Sequence, residues 1–134
     1  MGTVAELLDS YPADLGRVDR NVLATCIERC FECAQACTAC ADACLSEPGV
    51  AELVKCIRSD LDCADICDTT GRVVSRHTGY DANLTRAFLE ACATACASCA
   101  DECERHTAHE HCRVCAQACR RCEAACRELI AALG

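Results

Sequence analysis

From Cys26 onward the nonpolar positions of this chain recur at Cys26, Cys30, Cys33, Cys37, Cys40 and Cys44, with steps alternating between four and three residues. That period is a heptad seam, and it places all six side chains on one stripe of a single α-helix. The same rhythm returns at Cys56, Cys63 and Cys67, again at Cys92, Cys96, Cys99 and Cys103, and finally at Cys112, Cys115, Cys119, Cys122 and Cys126. Breaks separate the stripes: Pro48-Gly49, Gly79, and a weaker one around His106-Thr107-Ala108. The pattern predicts four long helices over about 19–46, 50–77, 81–105 and 109–133, with Asp81 or Asn83 capping the third. Val4, Leu7, Leu8 and Tyr11 fall on one side of a short extra helix before Pro12.

Short connections make neighbouring helices antiparallel. The predicted fold is therefore all-α, a single domain over 1–134. It is an antiparallel up-down-up-down four-helix bundle with a short extra N-terminal helix and its stripes turned inward. Internal similarity supports the division. Cys33-Ala-Gln-Ala-Cys37-Thr-Ala-Cys40 has the form of Cys92-Ala-Thr-Ala-Cys96-Ala-Ser-Cys99, and Cys33-Ala-Gln-Ala-Cys37 recurs as Cys115-Ala-Gln-Ala-Cys119. In such a bundle one end gathers Cys44, Cys56, Cys103 and Cys112 beside His106, His109 and His111. Leu23, Val73, Val74, Phe88, Leu89, Leu129, Ile130 and Leu133 plug the other.

Composition changes the picture because the seam residue is sulfur. The chain has 18 cysteines in 134 residues, no Trp, two Phe and two Tyr, so few large side chains are available for a core. Buried Cys packs as a small hydrophobe, and a Cys/Ala interior predicts a loosely cohesive metal-free form. Disulfides are not expected. Cβ atoms at i and i+4 on a helix lie about 5–6 Å apart, whereas a disulfide needs roughly 3.5–4.5 Å. The first nine residues have neither the basic nor the apolar segment of a secretion signal, so free thiols in a reducing cytoplasm are expected. A net charge of −8 argues against nucleic acid, and no apolar run is long enough to span a membrane.

Thiolates select Cu(I), Zn(II) or iron–sulfur clusters. Iron–sulfur ferredoxins use loop-borne motifs ending in Cys-Pro, and no cysteine here precedes proline. Structural zinc sites converge two loop-borne pairs. A uniform stripe with two thiolates per turn suits a low-coordinate ion, Cu(I), with many ions bound per chain, on the order of one per cysteine, ~18. The repeated C-x2-C spacings lack the βαβ context of a thioredoxin-type redox motif. Nothing selects sulfur over leucine this consistently for mere core filling. The alternative reading, a zinc-binding structural or redox-regulatory module, predicts about four ions. No catalytic set is apparent, so an enzyme is not expected.

Three kinds of residue join the thiols as candidates. Asp60 interrupts the second stripe and is a candidate oxygen ligand that would also attract a cation. His106, His109 and His111 are candidate ligands at the polar mouth. His77 reads as a surface residue, and Asp101, Glu102, Glu104 and Glu110 as a solvated rim. Leu53, Ile57, Leu61 and Phe31 cannot all find room inside a cysteine-filled core, which predicts exposed apolar patches and self-association.

These C-x3-C-x2-C stripes, over residues 19–133, resemble the copper storage protein family, in its cytosolic branch. The resemblance implies a Cu(I)-filled bundle core, assembly as a homotetramer, and metal ligands at Cys26, Cys30, Cys33, Cys37, Cys40, Cys44, Cys56, Cys63, Cys67, Cys92, Cys96, Cys99, Cys103, Cys112, Cys115, Cys119, Cys122 and Cys126. Exported members use methionines near the open end. This chain has only Met1, so its histidines are expected to serve there.

Overall fold

The structure, a computed structural model, describes residues 2–133; Met1 and Gly134, the ends of the domain expected from the sequence, lie outside it. Five α-helices account for most of it: α1 (Thr3–Asp9), α2 (Arg20–Leu45), α3 (Val54–Val74), α4 (Ala82–Cys103) and α5 (Glu110–Leu133). Two short 3₁₀ turns, Val50–Leu53 and Glu104–His106, lead into α3 and out of α4. No strand occurs among the described residues.

Local chemistry sets the helix ends. The Asp19 carboxylate accepts from the backbone N–H groups of Asn21 and Val22 at 2.7 and 3.2 Å, and Asp81 accepts from that of Leu84 at 3.0 Å. Both satisfy donors that a first turn leaves without partners. Asp81, not Asn83, is the cap of α4. The second long helix is shorter than its pattern predicts: α3 ends at Val74, not His77. There the Ser75 hydroxyl donates to the Gly71 carbonyl at 2.6 Å, and the N–H groups of Ser75 and Arg76 take carbonyls three residues back. This tightening turns the chain toward Gly79, whose φ of +65° is costly for a residue with a Cβ.

The four long helices form a closed ring in which α2 packs on α3 and α5, and α4 packs on the same two. Sulfur contacts fix their directions. Cys26 meets Cys126, Cys33 meets Cys119, and Cys40 meets Cys112, so α2 and α5 run oppositely. Cys56 meets Cys103 and Cys67 meets Cys92, so α3 and α4 do too. Gly71 lets α2 and α3 close together: a Cβ there would lie 3.0 Å from the Phe31 ring and 3.2 Å from the Cys30 Cβ.

All 18 cysteines are free and buried. The plug end is closed by buried Leu23, Val74, Leu89 and Leu129, with Ile130 and Leu133 packed alongside; Val73 and Phe88 are only half-buried. Some placements differ from the sequence expectation. Leu53 is buried, three residues before Cys56 on the same stripe, while Leu61 and Phe31 remain exposed as the crowding argument requires. On α1, Leu8 is buried and Leu7 faces outward. His77 is half-buried with its ring edge-on to Tyr11. Glu102 is not part of a solvated rim but is buried.

Candidate metal centre

Each helix contributes one thiol per turn or so to the bundle axis, and opposed stripes bring them into layers. Near the plug, Cys30, Cys92, Cys122 and Cys126 converge, with Cys26 4.0 Å from Cys126. One turn along, Cys33, Cys63, Cys67 and Cys96 form a second group, with Cys67 and Cys96 sulfurs 3.5 Å apart. Cys33 and Cys63 belong also to a third, with Cys37 and Cys119, and Cys37 and Cys119 to a fourth, with Cys99 and Cys115. The second, third and fourth groups share members, so an ion in one of them is a neighbour of the next, and a Cys67–Cys122 contact at 4.0 Å joins them to the first. From Cys26 to Cys44 the stripe extends about 27 Å.

The spacing is metal-like. Sulfurs around one ion at about 2.3 Å stand about 3.8 Å apart in a tetrahedron and about 4.0 Å apart in a triangle. The intrahelical pairs Cys33/Cys37, Cys63/Cys67 and Cys99/Cys103 lie at 3.8, 3.7 and 3.9 Å. The cross-helix pairs run from 3.5 to 4.0 Å. Burial pushes the Cys44 thiol up to about 11 and moves Cys112 the same way. Thiolate binding there displaces protons, so affinity falls with acidity.

Asp60 sits inside the column, one layer below the mouth. It is fully buried, and its Oδ1 accepts from the thiols of Cys99, Cys115 and Cys103 at 3.2, 3.3 and 3.6 Å. Its Oδ2 has no partner among the described residues, although buried polar atoms ordinarily find one. Burial, and then the charge of Cys115, holds its carboxyl up to about 8. At neutral pH this favours the protonated carboxyl over the cation-attracting carboxylate. A raised folded-state pKa stabilises the fold fully below the ordinary carboxyl value of 3.8, and that contribution is lost as pH rises toward 8. The thermal midpoint of the metal-free protein should fall between pH 4 and pH 8, and Asp60→Asn should flatten that fall. Equal slopes in melts followed by circular dichroism would refute it.

The three histidines do not share one role. His111 points Nδ1 inward, 3.4 Å from Cys40, 3.6 Å from Cys112 and 4.0 Å from Cys44. Its Nε2 donates to Glu47 at 2.8 Å. The same Glu47 oxygen pairs with His109 Nδ1 at 2.9 Å, and the two rings stack 5.5 Å apart. His106 pairs with Glu102 at 2.8 Å. His106 and His109 thus hydrogen-bond carboxylates, and His111 alone reaches the thiols. Glu47, in the turn before Pro48, carried no signal in the hydrophobic pattern. Thr70 was also missed: it occupies a seam position on α3, fully buried, and its hydroxyl has no partner.

Known proteins share this arrangement. The sequence pattern of the copper storage protein family matches residues 19–131. A copper storage protein, Ccsp, from Streptomyces lividans, solved loaded with 10 copper equivalents, is 70% identical, with a TM-score of 0.96 over 97% of this chain and 99% of that one. The Streptomyces lividans protein is described as cytosolic in another structure, with five coppers. A second copper storage protein, in its Cu(I)-bound form, is 38% identical with a TM-score of 0.70, covering 78% of this chain and 93% of that one. An uncharacterised cysteine-rich protein of Bacillus subtilis, YhjQ, is 38% identical over 93 residues, 69% of this chain and 82% of the relative.

Proposed function

This chain belongs to the copper storage protein family, and we propose that it is a cytosolic store and buffer that holds many Cu(I) ions along its thiol column. The observation that carries this reading is the continuity of the column: 18 buried free thiols, with sulfur contacts running across helices and between layers. A protein built for one structural ion would need four of them. Storage, not catalysis, is the use such a column supports, since every thiol is buried. The cytosolic assignment draws support from the description of the Streptomyces lividans relative as cytosolic, and no described helix is long and apolar enough to cross a membrane.

Within that function, all 18 cysteines serve as ligands, Asp60 adds an oxygen, and the mouth bearing His106, His109 and His111 is where ions enter and leave. Glu47 and Glu102 supply the negative charge there. Assembly as a homotetramer is proposed with it; exposed Phe31, Leu61, Leu45 and Val54 support burial against other copies.

Anaerobic titration with Cu(I) against a chromophoric chelator tests both parts. Uptake should approach the number of cysteines, ~18, and saturation at about four ions would overturn storage. Replacing His106, His109 and His111 together by alanine should leave capacity nearly intact and slow loading and removal about tenfold. Unchanged rates would place the mouth elsewhere.

A further inference from the structure

The outermost metal-binding group differs from those beneath it in donor type, surroundings and charge. Cys40, Cys44, Cys112 and His111 bring one donor atom each within 4.8 Å of one another. Five of the six edges are close to those of a small tetrahedron. Nδ1 of His111 lies 3.4, 3.6 and 4.0 Å from the three sulfurs, and Cys112 lies 3.9 and 4.0 Å from the other two. With Zn–S about 2.3 Å and Zn–N about 2.0–2.1 Å, a zinc tetrahedron has S–S edges of about 3.8 Å and N–S edges of about 3.6 Å. The sixth edge, from Cys40 to Cys44, is within 4.8 Å, so closing these donors on an ion draws those two sulfurs together.

The surroundings point the same way. The outer nitrogen of His111 is held by the Glu47 carboxylate at 2.8 Å, the carboxylate–histidine pairing that orients imidazole toward zinc. Charge then separates the mouth from the column. A Cu(I) ion that replaces a thiol proton leaves the interior neutral. A divalent ion among four thiolates leaves two negative charges, and the buried polar side chains of the column, Asp60 and Thr70, include no cation to balance them. At the mouth, three thiolates and one imidazole leave a single negative charge, where His111 is a quarter exposed to water.

We propose that Cys40, Cys44, Cys112 and His111 form a tetrahedral zinc(II) site at the mouth of the bundle, with Glu47 as its outer support. An ion there occupies the position through which others must pass, so zinc closes the column until Cu(I) displaces it. The site stands on its own geometry and does not need the column to be a copper store.

The test uses the full, reduced, metal-free chain. Zinc titrated anaerobically against a chromophoric zinc chelator should show one tight ion per chain, with any further binding at least a hundredfold weaker. Cobalt(II) in its place should give the absorption of a tetrahedral three-sulfur, one-nitrogen site. His111→Ala should abolish the tight site, and Glu47→Gln should weaken it about 10–100-fold. Loading the zinc form with Cu(I) should release one zinc per chain. Several equivalent zinc sites, no tight site, or a tight site unaltered by His111→Ala would each overturn the proposal. Copper capacity measured alongside separates the two readings: a low value with one tight zinc defeats storage and leaves this site standing.

Discussion

Filling the column with Cu(I) should raise the thermal midpoint of the metal-free bundle by about 25–40 °C. The expectation follows from how little else holds the interior together. Leu53, Leu89 and Leu129 are the largest fully buried side chains, and nearly everything between them is cysteine or alanine. Each thiol buries less hydrocarbon than leucine would, so the seam contributes less hydrophobic stabilisation than a bundle of this length ordinarily has. An ion that binds the folded chain alone, at a thousand times its dissociation constant, adds about 4 kcal/mol. Two such ions add as much as the whole stability of many domains, about 5–15 kcal/mol. At this chain length each kcal/mol moves the midpoint by about 3–5 °C. Anaerobic melts before loading, after loading and after chelator stripping measure it. A shift under about 10 °C would mean that the apo bundle is already well packed.

Most of the column was legible because helical period and chemistry coincide in one residue type. Once cysteine repeats at four and three, its inward position and its role as a soft ligand follow together, and every one of the 18 is buried. Asp60 was legible by register, since it fills a seam slot. Its raised pKa was not, because that depends on burial by the surrounding helices and then on Cys115, which arrives from α5. The mouth was read least well. Glu47 lies in a turn, where no periodicity applies, and only the packing of the α2–α3 turn against the start of α5 brings it to His109 and His111. Glu102 looked like a rim residue beside Cys103; the 3₁₀ turn Glu104–His106 folds His106 back over it. Leu53 was legible by register, three residues before Cys56, and it is buried.

Leu129→Ala should cost the metal-free protein about 2–5 kcal/mol and leave the copper-loaded protein folded. Leu129 is 1% exposed and closes the end of the bundle together with Leu23, Val74 and Leu133. Truncating it removes hydrocarbon from the one region that is not sulfur and leaves a cavity that rigid helix ends cannot collapse into. In a bundle already short of large side chains that loss is a sizeable share of the total, so the apo variant should unfold at markedly lower urea. Copper bound further along the column cross-links all four helices through their thiolates, a contribution that does not depend on the plug. The loaded variant should therefore stay folded well above the apo form and melt below the loaded wild type by about the same free energy as the apo variant loses. Leu89→Ala, on α4 and also fully buried, should behave alike. Removing the plug also gives chelator a second approach to Cys26 and Cys126, and copper removal should quicken. An apo midpoint within about 0.5 kcal/mol of wild type would show that the leucines fill space without supporting it. A loaded variant that fails with the apo form would show that copper and plug stabilise one cooperative unit, not two separable ones.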